Sequence, residues 1–536
     1  MSEADISMQT SDATAICPGS EGLPMDVAFG ASKVTTISIL QRAFSFPVML
    51  AALLVAGVFV ARRGFDVDPD LWWHIKVGED ILATHQWPTS DAYSFTAAGQ
   101  SWMADQWLGD VLFAAVARVG GLRGLEALLI VLGAAVMVAL YVFATLRSGN
   151  SKAGFVTSAV LLVLAAANFN LRPQMLGYLF LVLTLIALER FRQGRPRVLW
   201  FLPLLFLLWV NTHASWEIGL STIFVYWMSG LKEIRLGGIE MRGWKPAERL
   251  RLALVFLLCL AVLPITPYGT RLAAFPFQFI SLHPHILANI VEWQPMPFDQ
   301  LGGKVFLGLF LGLLAVQIAC RLTWRLEEAA LFFFGTAMAC LHARFLLIFV
   351  PFFTPLLATT LARWLPGYNR KKDQHLLNAV LMVSMLAGML WYFPSQATIE
   401  ESVASHFPVG AVQYLNRHPM PGPMFNAYNF GGYLVWATAP EHKVFIDGRA
   451  ELFEAGGVLA DYMHITLLKP GALSVLRAYG VQACLLEREQ PLTTVLAALP
   501  DWQKVYADQE SVLFVRRSGT EAAVVTPMHS APVRED

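Results

Sequence analysis

The chain has 536 residues, of which 56% are hydrophobic and only 15% are charged. Lys plus Arg and Asp plus Glu both number 39, so the net charge is zero and no basic field points to nucleic acid as a partner. Soluble globular proteins carry about 25% charged residues, and the mean hydropathy of +0.52 points instead to long stretches inside a membrane.

Residues 1–42 are polar and rich in small side chains, without the basic start and short apolar core of a cleaved signal peptide. They are predicted to form a disordered cytoplasmic tail ahead of an uncleaved anchor. Crossing a bilayer core takes roughly 20 apolar residues. Segments 46–62, 123–146, 153–169, 173–190, 197–213, 216–231, 250–266, 304–320, 326–341, 345–362 and 375–393 approach that length, which predicts 11 transmembrane helices. Trp107–Val119 is short and carries Asp110 and Arg118, so it reads as a twelfth span or as a helix lying in the interface.

Charge bias separates the two. With Trp107–Val119 on the surface and the N-terminus inside, about twenty Lys and Arg fall in inner connections against about nine outside, the positive-inside pattern. Arg62 and Arg63 run against it. The outer face then receives a large first loop (63–122), several short helix junctions, and everything after Pro394. The expected organisation is a membrane domain over 43–394, an outer α/β domain over 395–518 and a disordered tail over 519–536.

The first outer loop opens Asp66-Val67-Asp68-Pro69-Asp70-Leu71-Trp72-Trp73-His74. Pro69 forbids a helix across the alternating carboxylates. Asp68 and Asp70 can ligate a divalent cation such as Mg or Mn through oxygen. Mutual repulsion can equally raise one of them into a useful general base. A solvated acidic loop is the plain alternative, and Trp72-Trp73 suits the headgroup level of a membrane.

Other outer junctions add ionisable groups at membrane depth, where they are costly and usually paired or functional. Arg172 lies in Asn-Phe-Asn-Leu-Arg-Pro-Gln. Asn211, His213 and Glu217 lie in Val-Asn-Thr-His-Ala-Ser-Trp-Glu, and His342 and Arg344 in Leu-His-Ala-Arg-Phe. The two arginines can hold a phosphate through paired N–H donors, or can snorkel to headgroups. His283-Pro284-His285, with Glu292 beyond it, can be read as a metal site, although the spacing is not diagnostic. Glu292 beside Trp293 reads better as a pair that contacts sugar.

After Pro394, strands are predicted at 423–426, 443–446, 483–486 and 511–515, and helices at 409–417, 458–468, 472–479 and 493–499. Gly431-Gly432, after Asn429, permits a tight turn close to a ligand or to another backbone. Asp447-Gly448-Arg449 follows a strand, where loops often carry function. Asn429, Asp447 and Arg449 are therefore candidate substrate contacts.

A short first helix, a long acidic outer loop, many further helices and a terminal α/β domain together resemble the C-type (GT-C) membrane glycosyltransferases. The chain is also similar to bacterial multi-pass proteins that share DxDxWWH, EWQ, HARF and GGYLxW…VFIDGR. The resemblance implies a GT-C-like polytopic membrane protein of a bacterial inner membrane, with its active face and C-terminal domain periplasmic. It implies inverting transfer of a hexosyl or pentosyl group from a polyprenyl-phosphate-linked sugar to a glycan, lipid or protein acceptor. Asp68 or Asp70, with His74 beside them, would serve catalysis or metal binding, and Arg172 or Arg344 would steady the lipid phosphate. Rival readings are a transporter or flippase of a lipid-linked substrate, and a non-catalytic envelope assembly protein. No internal repeat supports a transporter.

Overall fold

Backbone groups inside a bilayer must be satisfied within their own segment, so the apolar runs fold as helices. The computed structural model describes residues 36–62, 68–282, 286, 290–420 and 422–517. Asp66, the His283-Pro284-His285 motif and the expected C-terminal tail lie outside the described residues. Thr36–Ala43 is helical, although it falls within the stretch expected to be disordered.

Each predicted apolar segment coincides with helical backbone. Among the described residues, four helices are long and apolar enough to cross a membrane: Trp107–Ser148, Gln174–Arg192, Leu301–Cys320 and Ala343–Leu361. The bent pair His375–Trp391 and Gln396–Ala404 adds a fifth if it counts as one span. Val163, Ile318, Leu376 and Trp391 leave large apolar surface uncovered on these and neighbouring helices, as lipid contact requires. The protein is a polytopic helical membrane protein.

Trp107–Ser148 is broken at Gly121, whose φ of 57° and ψ of −152° suit glycine alone. The arm before the break packs on the loop helix Leu71–Thr84. The contact is close: a Cβ on Gly78 would stand 2.1 Å from the Asp110 backbone oxygen. The first and last membrane helices are also tied. The Phe46 N–H donates to both Asp373 carboxylate oxygens at 3.2 and 3.0 Å, which caps the positive end of helix Phe46–Arg62.

At the far end of the bundle, β1 (Ile234–Leu236) pairs antiparallel with β2 (Ile239–Met241), which runs parallel to β3 (Trp324–Arg325). The C-terminal stretch carries β4 (Met424–Asn426), β5 (Ala483–Glu487), β6 (Trp502–Ala507) and β7 (Ser511–Arg516) in the order β4-β5-β7-β6, with helices packed around them. β6 is an addition to the predicted strands. The predicted strand at 443–446 forms only a bridge, Val444 with Ser94, because its partner is the first loop rather than the sheet.

Two further expectations give way. Trp72 and Trp73 are buried rather than interfacial, and Trp72 packs against Phe407, Tyr433 and Trp436 of the C-terminal stretch. Gly431-Gly432 lies inside helix Tyr428–Thr438, not in a turn. A Cβ on Gly431 would reach the Ile446 backbone oxygen at 2.1 Å, and one on Gly432 the Pro69 oxygen at 2.4 Å. These glycines serve close approach.

Candidate functional site: an acidic loop, two arginines and a shared cavity

The helix ends, the first loop and the C-terminal stretch enclose a cavity of about 720 Å³. Its walls include Asp68, Asp70, His74, Arg172, His213, Glu217, Glu292, Trp293, Arg344 and Asn429. Residues spread over more than 360 positions of sequence thus meet in one place.

The turn Asp68-Pro69-Asp70 ends where helix Leu71–Thr84 begins. Asp68 Oδ1 accepts the Asp70 N–H at 2.9 Å, and its Oδ2 accepts from Arg172 Nε at 2.6 Å. Arg172, at the start of helix Gln174–Arg192, also reaches Asp70 Oδ2 at 3.1 Å and Glu292 Oε1 at 3.0 Å. One guanidinium therefore joins three carboxylates. Burial works against its charge, yet Asp70, Asp68 and Glu292 together raise its pKa well above the usual range. Burial also pushes the Asp70 carboxyl up to about 6, with Arg172 opposing the rise and Asp68 adding to it.

This arrangement bears on the cation expected at Asp68 and Asp70. Both carboxylates already share the Arg172 charge, and among the described residues no group of three or more His, Cys, Asp or Glu side chains is placed to hold a metal ion. Asp68 and Asp70 are thus engaged by the Arg172 guanidinium rather than standing free as oxygen ligands, and Asp66 lies outside the described residues.

Arg344 is placed differently. Its guanidinium stacks 4.3 Å from the centre of the Trp293 ring and forms no ion pair among the described residues. It is a cation available to a ligand. His74 Nδ1 sits 2.5 Å from Asp110 Oδ1, which leaves Nε2 as the ring nitrogen open to other partners. Burial pushes this imidazole down to about 3, so it is neutral at ordinary pH.

Four expected contacts fall elsewhere. Asn211 accepts from Trp107 Nε1 at 2.8 Å and donates to the Leu207 and Ile265 carbonyls, joining three segments. His342 Nδ1 lies 2.6 Å from the Trp293 carbonyl and steadies the turn that carries Glu292. Arg449 and Asp447 are buried together. Arg449 donates from Nε and Nη2 to Asp447 at 2.9 and 2.6 Å, and from Nη1 to Asp91 at 2.7 Å. This triad locks the C-terminal stretch to the first loop. Gly448 between them faces the site, because a Cβ there would stand 1.7 Å from Asp70 Oδ1.

The cavity also holds carboxyl groups that were not singled out from the sequence. Burial, reinforced by Asp110, raises Asp105 to about 7. Burial, reinforced by Asp105, raises Glu451 to about 7. The available signal was position: Asp105 lies in the same acidic loop, and Glu451 is two residues beyond Arg449.

No family model and no curated protein matches the sequence. Solved structures do, and the fold they define is that of the C-type membrane glycosyltransferases. The chain is similar to ArnT from Cupriavidus metallidurans in the apo state, with a TM-score of 0.51 and 15% identity over 90% of this chain and 99% of that one. For the same protein bound to undecaprenyl phosphate the TM-score is 0.48 at 15% identity, with the same coverage. The Archaeoglobus fulgidus oligosaccharyltransferase tethered to an acceptor peptide gives 0.48 at 12% identity, over 83% of this chain and 70% of that one. At these identities the likeness concerns the fold.

Proposed function

We propose that this chain is a glycosyltransferase that moves a sugar from a polyprenyl-phosphate carrier to an acceptor hydroxyl. The observation that carries the reading is the single cavity that sets Asp70 beside Arg172 with Arg344 in the same wall. The GT-C fold supports it.

Asp70 is the general base. Asp68 spends one oxygen on a backbone N–H and the other on Arg172, so it positions rather than reacts. Asp70 takes the acceptor proton as the acceptor oxygen attacks the anomeric carbon, and the bond from that carbon to the lipid phosphate breaks. The departing phosphate gains negative charge, which Arg344 meets directly and Arg172 meets from within its carboxylate cluster. Attack opposite the leaving group makes the transfer inverting. His74, held by Asp110, orders the acceptor side.

In the same proposal the 11-span topology places this cavity on the periplasmic face of a bacterial inner membrane, with residues 395–518 as an outer domain. Glycan, lipid or protein acceptors remain within the reading. The test is to incubate purified protein with a panel of polyprenyl-phosphate sugars and measure sugar release. Release that depends on Asp70 supports the proposal. Passage of an intact lipid-linked sugar across a bilayer, without release, would favour a flippase.

A further inference from the structure

The same helices that frame the main cavity carry arginines at their opposite ends. Gln174–Arg192 has Arg172 just before its start and Arg192 as its last residue. Leu326–Leu341 has Arg325 at its N-cap and Arg344 shortly beyond its end. Nineteen helical residues at 1.5 Å each span about 28 Å, close to the thickness of a bilayer core. The second set of arginines therefore faces the other side of the membrane from the first.

There they line a separate cavity of about 260 Å³, walled by Arg147, Arg192, Arg242, Arg325, Glu240 and Thr323. Four guanidinium groups meet one carboxylate on this surface. The neutralising acids sit behind the wall. Arg147 Nη2 donates to Glu328 at 3.0 Å, Arg325 Nη1 donates to Glu189 at 2.7 Å, and Arg192 pairs with Glu327. Each of the three arginines uses part of its fork on a carboxylate and keeps other N–H donors. Arg192, with its side chain 3% exposed, has an Nε without a hydrogen-bond acceptor. Arg242 is exposed and forms no ion pair among the described residues.

A purely structural clamp needs the three balanced pairs but not the hollow between them, nor an exposed arginine that shares the cavity wall with a single carboxylate, Glu240. We infer that this basin is an anion site for a phosphate group, at the membrane face opposite the main cavity. Guanidinium forks suit tetrahedral oxyanions through paired hydrogen bonds. The phosphate can be borne by a lipid headgroup or be free in solution.

The test uses full-length protein in nanodiscs. In phosphatidylcholine discs, inorganic phosphate is titrated by calorimetry. In discs of phosphatidylcholine with a minority of phosphatidylglycerol, the anionic lipid that stays with the protein on extraction is measured by mass spectrometry. The deciding variant is Arg242→Gln, which leaves the three buried pairs intact, with Arg242→Lys as the conservative partner. Phosphate binding that weakens about tenfold in Arg242→Gln and partly returns in Arg242→Lys identifies a soluble phosphate site. Retained phosphatidylglycerol that is lost in Arg242→Gln identifies a headgroup site. Binding of neither probe by the unmodified protein, or binding that Arg242→Gln leaves unchanged, would overturn the inference, since unchanged phosphate binding would belong to the main cavity.

Discussion

Gly448→Ala probes how tightly the C-terminal stretch clasps the acidic loop. The added Cβ would stand 1.7 Å from Asp70 Oδ1 and 3.0 Å from Trp73 Nε1. Asp70 cannot simply swing away, because its other oxygen lies 3.1 Å from Arg172, which is itself held by Asp68 and Glu292. The carboxylate or the whole loop must shift by roughly an ångström, and a misplacement of that size costs on the order of 10²-fold in rate. Overpacking costs about 1–3 kcal/mol, so the protein should still fold. The assay is sugar release from a polyprenyl-phosphate sugar, with thermal unfolding followed in parallel. Gly302→Ala is the control, since a Cβ there meets nothing within 4 Å. A Gly448→Ala protein as active as that control would mean that the C-terminal stretch does not confine Asp70.

In the proposed mechanism only deprotonated Asp70 takes the acceptor proton, and burial raises its pKa to about 6, so the rate should fall roughly tenfold per pH unit below that value and level off above it. A rate that stays level down to about pH 4, the ordinary carboxylate range, would remove Asp70 from the role. Arg449→Met should leave Asp91 and Asp447 buried without their cation and cost about 3–5 kcal/mol, read as a lower unfolding temperature and faster proteolysis between the loop and the C-terminal stretch. Unchanged stability would mean that the triad does not hold the two together. Arg344→Gln should lower kcat/KM for the lipid-linked donor on the order of 10²-fold. Arg344→Lys should recover part of this, since an ammonium keeps the charge but not the paired donors.

Much of this architecture was legible because it depends on local chemistry. Apolar runs such as 304–320 and 326–341 have to become helices in a membrane, and helix Val409–Arg417 shows its period in sequence. Ionisable residues at helix junctions carried the cavity: Arg172, His213, Glu292 and Arg344 were conspicuous because charge at that depth is expensive. What escaped was set by long-range partners. Asp447 and Arg449 read as loop groups that could contact substrate, yet Asp91, some 350 residues away, turns them into a buried lock. Gly431 and Gly432 do approach another backbone closely, as their sequence permits, but from within a helix rather than a turn, because the partners Ile446 and Pro69 are distant in sequence. Trp72 and Trp73 looked like membrane anchors, but their neighbours are Phe407, Tyr433, Trp436 and Trp102. Arg172 was read as a phosphate ligand, and the structure adds the three carboxylates that share it.

In the proposed mechanism Asp70 removes a proton from the acceptor while Arg344 and Arg172 in the same cavity meet the departing lipid phosphate. Asp70→Asn keeps the shape of the side chain and removes its basicity. Measured on purified, membrane-inserted protein with the polyprenyl-phosphate sugar that the unmodified protein cleaves, transfer should vanish while folding and donor binding persist. Full transfer by Asp70→Asn would mean that another group takes the acceptor proton.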